Sequence, residues 1–321
     1  MHHRQQAAAA LLVFSILAGV AGLSGRRTLC EGFLPSNNLR IPVGDVHARG
    51  IEQGMFDQVL DRVEKVYAPL VAAKGGRLVV HRLWDNATVN ASAYQSGSDW
   101  HVNMYGGLAR HAAVTADGFA LVACHELGHH LGGIPRKAGW ATNEGGADYY
   151  STLKCLRRVF DPAGRPAAVD PAVASACDEA FGDPDARHQC MRASMAGLSV
   201  ASLFQALRPG SSPPAFSTPD PSVAKRTVDS HPPGQCRLDT YWQGALCPKP
   251  VDEDVSNAKE EPGACTLSQG HFVGLRPLCW YKPPNPGWIE PWFNRGRKQK
   301  LPRPEAFERR LDGLRRAFAA L

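Results

Sequence analysis

The sequence predicts an α+β fold, a small twisted β-sheet packed on helices. Three observations predict it: apolar residues recur every three to four positions in helix-length stretches, three short β-rich runs lie between those stretches, and glycine pairs punctuate the junctions. From Gly54 to Val71, Met55, Val59, Val63, Val66 and Leu70 mark one face of an amphipathic helix. Arg77–Leu83 (RLVVHRL) reads as a strand. Thr88–Tyr94 and Trp100–Tyr105 read as two more, separated by the turn-like Gln95-Ser-Gly-Ser-Asp stretch, and Gly106-Gly107 ends the last. Thr115 or Asp117 can cap the next helix, which runs to about Leu131 and stops at Gly132-Gly133. A further helix begins near Asn143 and continues to about Phe160. Helical patterning returns between Cys177 and Leu207, followed by an irregular stretch from Pro209 to Pro233 rich in Pro, Ser and Thr. Cys236–Pro286 mixes cysteines, prolines and aromatics and reads as disulfide-stapled and loop-rich. Phe307, Leu311, Leu314, Phe318 and Leu321 lie on one face of a basic C-terminal helix.

The 321 residues allow one large domain or two small ones. The formal charge is +6, and the tail accounts for it: Arg295–Arg316 holds nine basic residues against Glu305, Glu308 and Asp312, and nine minus three is six. The near-neutral remainder argues against a nucleic-acid partner. Arg4 followed by the apolar Ala7–Val20, then Ala21, Gly22, Ser24 and Gly25, has the pattern of a cleaved secretory leader, residues 1–25. The apolar run is short for a bilayer span, and no other segment qualifies, so no stable membrane span is expected after leader removal. Nine cysteines fit an exported chain, periplasmic or secreted, in an oxidising compartment. Close spacing suggests Cys236 with Cys247 and Cys265 with Cys279, with one thiol left over. Asn86-Ala-Thr88 and Asn90-Ala-Ser92 are glycosylation sequons.

The chemistry-bearing motif is His125-Glu126-Leu127-Gly128-His129. Residues four apart share a helix face, so both imidazoles can reach one ion, at about 2.0–2.1 Å if it is zinc. Glu126 beside the first ligand can touch a water on that ion without binding the metal, and zinc lowers the pKa of such a water to about 7. Apolar Phe119–Cys124 would bury the helix, where an unpartnered His and Glu would be costly. His130 falls off the shared face and reads as a supporting or surface residue. A third ligand is still required. The position six after His129 is Pro135, which cannot ligate. Glu144, 15 positions after His129, is the favoured ligand, with Asp148 one turn later fixing a ligand histidine; Asp148 as the ligand itself is the alternative.

His125-Glu126-Leu127-Gly128-His129 followed by Glu144-Gly-Gly-Ala147-Asp148 resembles the HELGH and ExxAD pair of the gluzincin peptidases. Within that group the chain is similar to the HtpX and CAAX-prenyl-protease family, including its soluble periplasmic members. Asn90–Ala93, Trp100–Tyr105 and Gly106-Gly107-Leu108 parallel that family's strand, edge strand and turn, and Ser230-His231-Pro232-Pro233 with Arg237 its Thr-His-Pro motif and trailing Arg. The resemblance covers about Met55–Arg237. It implies a zincin-like fold spanning residues 26–240 and one Zn2+ per chain on His125, His129 and Glu144. It also implies a peptide or protein substrate near His231 and Arg237. His231 is then either an oxyanion donor or a turn histidine before two prolines. An edge strand at Trp100–Tyr105 would take substrate as an added strand through Val102 and Asn103. The HExxH-to-Glu144 gap is short for that family, its multiple membrane spans are missing, and residues 241–321 have no counterpart in it. The expected activity is zinc-dependent endopeptidase with Glu126 as general base; the alternative is an inactive, zinc-binding, chaperone-like quality-control protein.

Overall fold

Helix α1 (Gln53–Ala72) turns Phe56, Val59, Leu60, Val63, Tyr67 and Val71 inward, and this stripe seats it on one face of the sheet and on helix α3. The computed structural model describes residues 32–284 apart from Ala138, Pro162, Ala167 and Pro209. The expected leader, Cys30 and the basic C-terminal helix lie outside the described residues.

Strands β1 (Arg77–Leu83), β2 (Ala91–Ser96) and β3 (Asp99–Tyr105) form a sheet in the order β1-β3-β2. Gly97 at φ 61° turns the β2–β3 hairpin. The second strand starts three residues later than Thr88. More consequentially, β3 is the central strand. It runs parallel to β1, with Val102 opposite Val80, and antiparallel to β2, with Val102 opposite Ala93. The expectation of an edge strand at Trp100–Tyr105 is therefore corrected: the backbone there is bonded on both sides.

The glycine pair after β3 is required by close backbone approach. A Cβ on Gly107 would sit 1.9 Å from the carbonyl oxygen of Ala87. Short helix α2 (Gly106–Arg110) follows, then α3 (Ala116–Leu131), capped by the Thr115 hydroxyl accepting from Gly118 N at 3.0 Å. Helix α4 (Glu144–Tyr150) is capped by Asn143, whose Oδ1 accepts from Gly146 N at 2.9 Å. The helix expected to Phe160 runs on without interruption, through a π-helical turn (Ser151–Cys155), into α5 (Leu156–Val159). Helices α6 (Pro171–Ala180), α7 (Pro184–Ala206) and α8 (Gly234–Leu246) complete the helical layer; α7 and α8 pack on each other, α7 against α3 and α8 against α4. The boundary expected near residue 240 falls inside α8.

Four disulfides join the described cysteines. Cys124–Cys155 ties α3 to the π-helical turn, and Cys177–Cys190 ties α6 to α7. The two pairings suggested by close spacing are replaced by Cys236–Cys279 and Cys247–Cys265. The reason is tertiary. The chain after α8 folds back over α4, where Trp280 packs on Gly145 so tightly that a Cβ there would meet the indole at 2.2 Å. That return brings Cys279 to the start of α8. Closing loops of this length contributes about 3–4 kcal/mol per bridge. Among the described residues no helix is long and apolar enough to cross a membrane.

Candidate metal centre

Helix α3 is buried from Gly118 to His130, so the end carrying the HExxH residues lies inside the protein. His125 and His129 are one turn apart on the face toward α4. Gly128 sets how close α4 can come: a Cβ there would lie 2.8 Å from Ala147 O and 2.9 Å from Ala147 Cα. The two small residues let the helices meet at their backbones, and Glu144 at the first position of α4 reaches the imidazole pair. The Cys124–Cys155 bridge, beginning one residue before His125, fixes the same crossing covalently.

The ligand atoms of His125, His129 and Glu144 all lie within 4.8 Å of one another. His125 Nε2 is 3.3 Å from Glu144 Oε2, and His129 Nε2 is 3.7 Å from Glu144 Oε1. A four-coordinate ion with bonds of about 2.0–2.2 Å separates its donors by about 3.3–3.6 Å, so the His125–Oε2 spacing falls in that range and the His129–Oε1 spacing lies just above it. His125 Nε2, His129 Nε2 and Glu144 Oε2 are buried and make no hydrogen bond, a costly state unless something binds them. These residues could hold a metal ion. A second group, Asp220 with Cys236 and Cys279, offers no thiolate because its cysteines are bridged.

Both imidazoles are oriented from behind. His125 Nδ1 donates to Asp148 Oδ1 at 2.7 Å, and His129 Nδ1 donates to the Thr142 carbonyl at 2.9 Å. Each Nε2 is thereby turned toward the common point. Asp148 is itself held by Arg237 Nε at 2.7 Å, Arg237 Nη2 at 2.6 Å and the Tyr241 hydroxyl at 2.8 Å. The Arg237 guanidinium lies over the rings of Phe33 and Phe204 and donates to Phe33 O at 2.7 Å.

Burial lowers His125, but the Asp148 carboxylate more than offsets this and its pKa rises to about 9. Burial pushes His129 down to about 4 and Glu126 up to about 8. Burial raises Glu144, and the surrounding imidazoles of His129, His125 and His231 outweigh it, holding the carboxyl well below its usual range. Three of these directions suit a ligand set: an ionised Glu144, a neutral His129, and a His125 that gives up its proton when metal binds. Both Glu126 oxygens are buried without a hydrogen bond, as a group kept for another partner would be.

The structure thus brings His125, His129, Glu144, Glu126 and Asp148 together. His231 joins them, with Nε2 3.4 Å from Glu144 Oε2, but that nitrogen donates to Gly32 O at 2.7 Å. Three residues expected to meet substrate have other neighbours. Arg237 is fully buried behind Asp148 and holds that carboxylate against His125. Val102 is a core residue of the central strand, and Asn103 faces away from it, donating to Ser92 Oγ at 3.0 Å. Two residues went unforeseen. Tyr241 lies one turn after Arg237, a spacing that could have revealed it. Lys137, whose Nζ is 2.6 Å from Glu144 Oε1, sits in a Gly/Pro-containing loop without periodicity. No family model, no curated protein and no solved structure matches the chain.

Proposed function

We propose that the chain is an exported zinc-dependent endopeptidase of the gluzincin type, similar to the HtpX and CAAX-prenyl-protease family. The observation that carries this reading is the convergence of two unpartnered imidazole nitrogens and one unpartnered carboxylate oxygen on a buried point, with a second unpartnered carboxylate beside the first ligand. Two nitrogens and one carboxylate oxygen are the donor set of hydrolytic zinc sites that keep one position open.

When bound, zinc supplies an acidified water and polarises the carbonyl under attack. His125, His129 and Glu144 would hold the ion, and Asp148, Arg237 and Tyr241 keep His125 aimed at their common point. Glu126 takes the water proton on a carboxylate oxygen and passes it to the leaving nitrogen. A role for His231 at the oxyanion requires its bond to Gly32 O to be exchanged for one to substrate. With β3 central, the strand available to an extended peptide near α3 is β2, which touches that helix through Gln95 and His130. Four disulfides support export to an oxidising compartment.

Cleavage of an unfolded protein such as casein tests this. Wild type should cleave only with zinc, and Glu126→Gln should lose at least about 100-fold in rate while keeping its metal, the low end of general acid–base contributions. If neither protein cleaves and both bind unfolded chains, the chaperone-like alternative replaces the enzyme.

A further inference from the structure

We propose that Lys137 is a positioning residue for the metal carboxylate: its ammonium holds Glu144 Oε1, keeps the ligand set assembled before metal arrives, and reserves Oε2 for the ion. The inference rests on the metal-site reading above and extends it to a residue outside both motifs. Lys137 Nζ lies 2.6 Å from Glu144 Oε1, and the Glu144 side chain is wholly buried. The other oxygen, Oε2, makes no hydrogen bond and faces His125 Nε2 at 3.3 Å. The two carboxylate oxygens therefore have different environments.

The lysine is delivered by a braced strap. Arg136 is bridged to Thr142, and Lys137 N donates to Ala141 O at 2.8 Å. Its base is pinned by the segment after α8: Ile134 N donates to Ser256 O at 3.0 Å, and Arg276 Nη2 donates to Ile134 O at 3.2 Å. The same strap supplies the Thr142 carbonyl that orients His129. One strap thus controls one nitrogen ligand and one oxygen ligand together.

The physical need is plain. A buried carboxylate without a counter-charge is costly. In the metal-free fold Lys137 meets this need at Oε1, beside the imidazoles that face Oε2. Once the ion is present, a charge-assisted bond to Oε1 keeps Glu144 from turning both oxygens to it. That leaves the remaining coordination position open.

The test uses the full chain, stripped by chelator and reloaded with Co2+, in wild type, Lys137→Met and Lys137→Gln. The Gln variant keeps a donor and serves if the Met variant does not fold. Two readouts follow: Tm of the metal-free protein, and the intensity of the visible Co2+ absorption, which weakens as coordination number rises. Loss of one partner of a buried pair should lower the metal-free Tm by about 6 °C or more. The gap should narrow on Co2+ loading, and the Co2+ bands should weaken in Lys137→Met. An unchanged metal-free Tm overturns the proposal, and so does a Co2+ spectrum identical to wild type. Failure of the wild type to take up Co2+ is a separate result, which removes the metal-site reading and the proposal with it.

Discussion

His129 and His130 are neighbours on one helix, both are buried, and burial depresses both, to about 4 and about 3. Their surroundings differ in one respect. His130 is satisfied: Nδ1 lies 3.2 Å from Gln95 Nε2, Nε2 lies 3.3 Å from His101 O, and the ring stacks between Trp100 and Trp140 at centroid distances of 5.3 and 4.6 Å. His129 has one satisfied nitrogen, and its Nε2 points without a partner at other unpartnered donors. Depth and a shifted pKa therefore do not distinguish a ligand from a packed histidine. Unsatisfied atoms that converge do, because a fold tolerates their cost only where something binds them.

The sharpest way to break this comparison is through the group that aims the other ligand. Asp148→Asn removes the charge that Arg237 faces and weakens the bond that orients His125. Zinc affinity should fall roughly 10–100-fold, measured by competition with a chelating dye. Stability should fall by about 3–5 kcal/mol in denaturant unfolding, because Arg237 is left charged and buried. Asn at this position with unchanged affinity would show that the backing network does not serve the metal.

A smaller effect separates the histidines by pH. His125 holds its proton up to about 9 in the metal-free fold, against 6.5 for an ordinary histidine. Its contribution to stability is therefore complete below pH 6.5 and is lost as pH rises from about 6.5 to 9. Glu126, raised from 4.5 to about 8, weakens the metal-free fold in the same direction across 4.5–8. His130 acts oppositely: neutral in the fold down to about 3, it costs stability as pH falls below 6.5. Saturating zinc should abolish the alkaline loss, since the ion replaces the His125 proton, and leave the acid loss from His130 in place. Tm against pH, with and without zinc, checks both limbs.

Much of the site was legible because its logic is local. Four-residue spacing put His125 and His129 on one face, Thr115 or Asp117 was available to cap the first of the two helices that meet there, and the second was expected to begin near Asn143. What escaped is non-local. Whether β3 is central or at an edge depends on where β1, which lies before β2 in the chain, pairs, and its apolar alternation reads the same in both cases. Arg237 reads from its motif as a substrate-side residue, because nothing in its own segment shows Phe33 and Phe204 closing over it from 204 and 33 residues away. The disulfide partners of Cys236 and Cys247 are set by the return of the chain over α4 rather than by nearness in sequence. Lys137 escaped because irregular loops have no period to read. The π-helical turn escaped because Ser151–Cys155 holds neither glycine nor proline to mark a change of pitch.

The central claim is that unpartnered atoms, and not burial, mark the metal ligands. Elemental analysis of purified wild type, His129→Ala and His130→Ala tests it most directly. The account predicts one zinc per chain in wild type and in His130→Ala, and none in His129→Ala. Zinc retained by His129→Ala, or absent from the wild type, would contradict it.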